Sequence, residues 1–218
     1  MLVLDVDDTI LLPPCVNCGT VWEQLAKKLG GNCLKEEFAS REKWLKGDYK
    51  SALEWLLASF EYHKREGLSY DIFASVLDAQ KYRRGFLQAM GSIDVDAFCP
   101  VIISGGFRRA SRRIQVDTGI RLAFSACEYF FDSVGKLISF GYIPCDGDGK
   151  VLLINWLKQA LKFENYVYVG DGNGDEEVMR EASLSIYMGE EECSIAKIKL
   201  DDFINLPQIL ADWQNSRR

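Results

Sequence analysis

Residues 1–9 read MLVLDVDDT, an apolar run that passes straight into three carboxylates and a threonine. A short apolar run closed by a turn is the signature of a strand buried in a parallel sheet, and such strands present functional groups just past their carboxyl ends. Asp5 stands at that end, with Asp7 two residues on. Clustered carboxylates repel one another, so they persist where a cation or a proton sits among them. A cap pair for a following helix is the plainer reading of the same two residues.

Working outward, Phe98 to Ile103, Leu122 to Ser125, Tyr166 to Val169 and Leu184 to Met188 share the character of the first run, and each ends in a turn or polar cluster. Helix-period segments lie between them, notably Arg108 to Val116, Val151 to Leu161 and Glu176 to Ala182. This alternation predicts an α/β fold, a doubly wound parallel sheet covered on both faces. Residues 20–80 differ. Trp22, Leu25, Ala26 and Leu29 share one helical face, as do Leu53, Leu56, Leu57 and Phe60, without a strand pattern between them. The expectation is a helical insertion at 15–81, bounded by Pro13-Pro14 and the basic stretch Lys81 to Arg84, in a core of 1–14 and 82–218. Glu128 to Tyr142 reads as a hairpin appended to the sheet.

The 218 residues are 48% hydrophobic, enough for a sizeable core. With 26 basic and 32 acidic side chains the formal charge is -6, which argues against broad attraction to nucleic acid or an anionic membrane surface. No stretch approaches the roughly 20 apolar residues of a membrane span. Seven cysteines and no leader-like segment suggest a cytoplasmic protein with reduced thiols. Cys15-Val16-Asn17-Cys18 has metal-ligand spacing, but a structural zinc site needs a second close pair that the sequence lacks. The single histidine, His63, is expected at a solvated helix end, and Arg108, Arg109, Arg112 and Arg113 on a solvated helix face.

Phosphoryl transfer through a covalent intermediate needs a nucleophile, a proton donor, a metal, and positive or N–H groups around the nonbridging oxygens. Candidates for each stand at strand ends or helix starts. Ser104-Gly105-Gly106 follows the second apolar run and is expected to open a helix, offering a hydroxyl and backbone N–H groups to an anion. Lys150 opens another helix after Asp146-Gly147-Asp148-Gly149. Gly170-Asp171-Gly172-Asn173-Gly174-Asp175 follows the fourth run and carries two more carboxylates on a tight turn.

These four segments, in this order, resemble the haloacid dehalogenase superfamily, and Asp5-x-Asp7-x-Thr9 resembles its phosphatases. Ser104-Gly105-Gly106-Phe107 and the helical insertion after the first motif are most similar to the phosphoserine phosphatase branch, which carries a helical-bundle cap there. The resemblance implies that Asp5 is the nucleophile and Asp7 the acid and base. It implies magnesium held by the Asp5 carboxylate, the Asp7 carbonyl and Asp171, with Asp175 supporting that shell. Thr9, Ser104, Gly105 and Lys150 would hold or orient the phosphate. A small phosphorylated metabolite would be the substrate. The branch also carries a cap carboxylate and a cap arginine, whose positions fall near Gly19 and within Glu54 to Ser59, and neither group is evident there. Three readings follow: a phosphomonoesterase, a phosphoserine phosphatase proper, or a module that binds phosphate ligands without turnover.

Overall fold

A computed structural model of the chain describes residues 1–172, 174–189 and 193–217. Strand β1 (Leu2–Leu4) is followed by β2 (Leu11–Leu12), four helices α1 (Val21–Leu29), α2 (Cys33–Leu45), α3 (Ala52–Arg65) and α4 (Tyr70–Ala79), and β3 (Lys81–Tyr82). Next come α5 (Phe86–Ser92), α6 (Val95–Phe98), β4 (Pro100–Phe107), α7 (Arg108–Thr118), β5 (Leu122–Phe131) and β6 (Leu137–Tyr142). The chain continues through α8 (Asp148–Leu161), β7 (Val167–Gly170), α9 (Glu176–Glu181), β8 (Leu184–Tyr187), β9 (Ile198–Lys199) and α10 (Leu206–Asn215). Among the described residues no helix is long and apolar enough to cross a membrane.

Among the described residues seven strands form one sheet in the order β6-β5-β4-β1-β7-β8-β9, and β2 pairs with β3 separately. β1 runs parallel to β4 and β7, β7 to β8 and β8 to β9, while β6 runs antiparallel to β5. Every residue of β1, β7 and β8 is buried. Successive strand residues face opposite sides, so both faces of the sheet are covered, as the unbroken apolar runs predict. From β1 the sheet is built outward to β4 and β5 on one side, then to β7, β8 and β9 on the other. That reversal opens a crevice beyond the carboxyl end of β1, where open α/β sheets take their ligands.

The chain groups into two compact units, Met1–Leu12 with Tyr82–Ala126 and Pro144–Arg218, and Pro13–Lys81 with Cys127–Ile143. The sequence reading placed all of 82–218 with the sheet; the hairpin arm Cys127–Ile143 groups with the helices instead. Within that second unit α3 packs on β6, and the Phe60 ring lies 5.0 Å from Phe140 and 5.9 Å from Tyr129.

Helix α1 begins where Thr20 Oγ1 accepts from the Glu23 N–H, and it buries Trp22, Leu25 and Ala26 as its periodicity predicts. The α3 face differs from expectation. Leu56 and Phe60 are buried together with Ser59, Tyr62 and His63, whereas Leu53 and Leu57 are 42% and 45% exposed. His63 is therefore a core residue and not a solvated helix end: its ring stacks on Trp22, and its Nδ1 lies 3.0 Å from the Tyr129 hydroxyl. Burial pushes its pKa down to about 3, so it is neutral at physiological pH. Cys15 and Cys18, read as reduced thiols, are joined by a disulfide. A tight turn, closed by the Cys18 N–H donating to the Cys15 carbonyl, brings their Cα atoms to 5.3 Å. Glu23, which the sequence did not single out, places its carboxylate where a side chain at Gly19 would stand and pairs with Arg41.

Candidate active site

The sheet ends bring the predicted residues together from the β1 turn outward. The Asp5 N–H donates to the Val169 carbonyl at 3.0 Å, which extends the β1–β7 ladder by one residue and fixes where the first carboxylate leaves the sheet. The Val6 carbonyl then accepts from the N–H groups of Thr9, Ile10 and Leu11, and Asp8 takes a left-handed φ of 53°. Arg83 clamps this turn. Its Nε donates to the Thr9 carbonyl at 2.8 Å, its Nη2 to the Asp8 carbonyl, its Nη1 to the Asp201 carbonyl at 3.1 Å, and its backbone N–H to the Ile10 carbonyl at 2.8 Å. In the sequence Arg83 is only part of a basic boundary segment. Thr9 is fully buried, and its Oγ1 meets no partner among the described residues.

Ser104, Gly105 and Gly106 extend β4 rather than opening a helix, since α7 starts only at Arg108. Ser104 is buried and is no helix cap; its Oγ accepts from the Gly106 N–H at 2.9 Å. Gly106 matters for what it lacks. A Cβ there would lie 2.0 Å from Asp7 Oδ2, so the Asp7 carboxylate rests directly over this glycine. Gly106→Ala should therefore displace Asp7 while leaving the strand intact. If Asp7 carries catalysis, hydrolysis should fall by about 10²-fold with an unchanged far-ultraviolet dichroism spectrum. Unaltered turnover would show that the position of Asp7 is not critical.

Lys150, in the first turn of α8, is buried, and its Nζ donates to Asp5 Oδ1 at 2.8 Å, Asp175 Oδ1 at 2.6 Å and the Tyr168 hydroxyl at 3.1 Å. Burial alone would push its pKa down, but the carboxylates of Asp175 and Asp5 outweigh that and hold it well above the ordinary value. One carboxylate oxygen each from Asp5, Asp171 and Asp175 lie within 4.8 Å of one another. Asp175 Oδ2 is buried and unpartnered among the described residues. Burial raises the pKa of Asp5, opposed by Lys150 and reinforced by Asp175 and Asp171. Asp7 is half-buried; desolvation first, then the charges of Asp5 and Asp8, push its carboxyl up to about 7. It is thus poised to hold or release a proton near neutrality.

The β1 turn, the end of β4, the start of α8 and the turn after β7 supply Asp5, Asp7, Ser104, Lys150, Asp171 and Asp175 to this edge of one sheet. Asn173, within the last of these motifs, lies outside the described residues. Two participants were missed. Arg83 gave no signal beyond charge, and Tyr168 reads in sequence as one more residue of an apolar strand.

No family model matches the chain, and no curated protein matches it in sequence. Solved structures match its fold. A phosphoserine phosphatase determined as an analogue of its phospho-aspartyl intermediate aligns with a TM-score of 0.72 at 17% identity, covering 97% of each chain. A substrate-bound phosphoserine phosphatase complex aligns at 0.71 and 16% identity, again over 97% of each chain. A HAD family hydrolase from Salmonella enterica serovar Typhi aligns at 0.71 and 18% identity, over 94% of this chain and 69% of that one. The fold of this chain is the α/β fold of these proteins.

Proposed function

We propose that the chain is a magnesium-dependent phosphomonoester hydrolase acting on a small phosphorylated metabolite through an aspartyl-phosphate on Asp5. One observation carries this reading: at the carboxyl end of β1, Asp5 is held by the Lys150 ammonium with carboxylate oxygens of Asp171 and Asp175 within 4.8 Å. Asp5 attacks phosphorus. The Asp7 carboxyl, with its pKa near 7, gives its proton to the departing alcohol oxygen, then as carboxylate takes a proton from the water that cleaves the Asp5–phosphate bond. Lys150 and the Ser104-Gly105 segment bind the nonbridging oxygens. The three-acid cluster and the orphaned Asp175 oxygen suit a hard cation, held by Asp5, Asp171 and the Asp7 carbonyl with Asp175 in support. Magnesium bound there would offset the repulsion among the acids and polarise the phosphoryl group. We propose a cytoplasmic location, which the buried free thiols Cys33, Cys127 and Cys145 suit and the Cys15–Cys18 disulfide counts against.

Hydrolysis of p-nitrophenyl phosphate by the purified chain with magnesium, lost on chelation, is the direct test. Asp7→Asn sharpens it. A nitrophenolate leaves without a proton and an alkoxide does not, so the variant should lose about 10²–10⁴-fold on alkyl phosphates and less on the aryl ester. Equal losses would remove Asp7 from the role of acid. A rise in melting temperature with phosphate esters, without product release, would instead support a silent binding module.

Phosphoserine itself is the second reading, in which Glu23 and Arg41, paired with each other in the helical unit, would part to meet the substrate's amine and carboxylate. A screen comparing phosphoserine with phosphorylated alcohols that lack both groups separates the two. Preference for the plain alcohols would discard this second reading.

A further inference from the structure

An ammonium group has three N–H donors and no more. In Lys150 all three are engaged, by Asp5 Oδ1, Asp175 Oδ1 and the Tyr168 hydroxyl. A phosphoryl oxygen reaching Lys150 must therefore displace one existing acceptor. Hydrogen bonds between two charged groups are shorter and roughly twice as strong as those to neutral partners, and the Tyr168 contact is both neutral and, at 3.1 Å, the longest of the three.

Tyr168 is an unusual occupant of its strand. β7 is buried throughout and paired on both sides, by β1 and β8, a setting that favours Val, Ile or Leu. The surroundings make room for the ring and its hydroxyl. A Cβ at Gly170, two residues on and facing the same side, would lie 2.6 Å from Tyr168 Cε1 and 2.6 Å from Asp175 Oδ2. The glycine, the phenol ring and the carboxylate are thus fitted to one another beneath the ammonium.

We propose that Tyr168 is a built-in competitor for the phosphoryl group: its hydroxyl occupies the third donor of Lys150 in the free protein and yields it when phosphate arrives. The inference rests on the proposed role of Lys150 as a phosphate ligand. Tyr168 is in this sense a positioning residue. It keeps a buried cationic donor satisfied between turnovers and weakens the grip on product. Removing the hydroxyl leaves that donor unsatisfied in the free protein alone, a penalty that phosphate relieves.

The test is calorimetric titration of inorganic phosphate into the full chain with saturating magnesium, comparing the unaltered protein with Tyr168→Phe, which keeps the ring. The variant should bind phosphate more tightly, by roughly five- to tenfold. KM for p-nitrophenyl phosphate should fall in step, with kcat moving less. A residue that only packs, or only steadies Lys150, would leave the Kd unchanged or raise it, and either result overturns the proposal. Turnover with an unchanged Kd rejects this inference and leaves the hydrolase reading standing; a tightened Kd without turnover does the reverse. Absence of phosphate binding in both proteins rejects this inference, and absence of turnover as well rejects the hydrolase reading. Should the variant not fold, 3-fluorotyrosine placed at position 168 gives a second readout. Its ¹⁹F resonance must shift on saturation with phosphate, and a static resonance overturns the proposal.

Discussion

Asp5→Asn is expected to lower kcat by at least about 10⁴-fold while the protein remains folded, because the amide keeps the shape of the side chain and loses the nucleophile. The loss should not come from unfolding. Burial and the neighbouring Asp175 and Asp171 disfavour the Asp5 charge, so a neutral amide there should hold or raise the melting temperature of the metal-free protein. Lys150 retains Asp175 and Tyr168 as acceptors. The sign of the pH effect follows from Asp5 and Asp7 together. Their folded pKa values lie above the ordinary 3.8, so the native state keeps protons that the unfolded chain gives up. Stability of the metal-free protein should then fall as pH rises from about 4 to 7, and the slope should flatten in Asp5→Asn. Turnover above about 1% of the unaltered protein, measured with p-nitrophenyl phosphate and magnesium, would reject Asp5 as the nucleophile.

Lys150→Met is expected to destabilise the metal-free protein by about 3–5 kcal/mol at pH 8, since it removes the cation between two buried carboxylates and leaves both unpaired. The folded pKa of Lys150 lies above its ordinary 10.5, so its own contribution is fully present at every pH below that value. The pH dependence of the variant therefore comes from the acids. Without the ammonium their carboxyl groups take up protons more readily, and part of the lost stability should return at pH 5. Urea unfolding at pH 5 and pH 8 measures this directly. An equal deficit at both values would mean that Lys150 acts through packing and not through charge.

Most of the candidate edge was legible because Asp5, Ser104 and Asp171 lie just past apolar runs of four to six residues, and the end of a buried strand is a position that periodicity locates well. Asp5, Ser104 and Asp171 were assigned this way, although Ser104 proved to extend β4 and not to cap a helix, whereas Lys150 was picked out by its place before an amphipathic helix. Tyr168 was hidden by the same pattern, since a tyrosine within an apolar run gives no sign that its hydroxyl meets a cation. Arg83 was equally silent, because its role is to bond carbonyls of a turn more than 70 residues away in the chain. In α3 the polar residues Ser59, Tyr62 and His63 form part of the buried face while Leu53 and Leu57 face outward, which inverts the usual inference from hydrophobicity. The Cys15–Cys18 bridge was missed because the odd number of cysteines and the metal-type spacing both led away from a disulfide.

The place of β1 bears on how the polypeptide acquires its shape. Leu2 pairs with Pro100 on one side and with Val167 on the other, so this strand meets its first neighbour only near the middle of the chain and its second only when most of the chain has been made. Pairings this distant are slow to form, and an unpartnered apolar strand invites association with other chains in the meantime. The residue assigned to attack phosphorus is thus made first, whereas Lys150, Asp171 and Asp175, which surround its carboxylate, are made last.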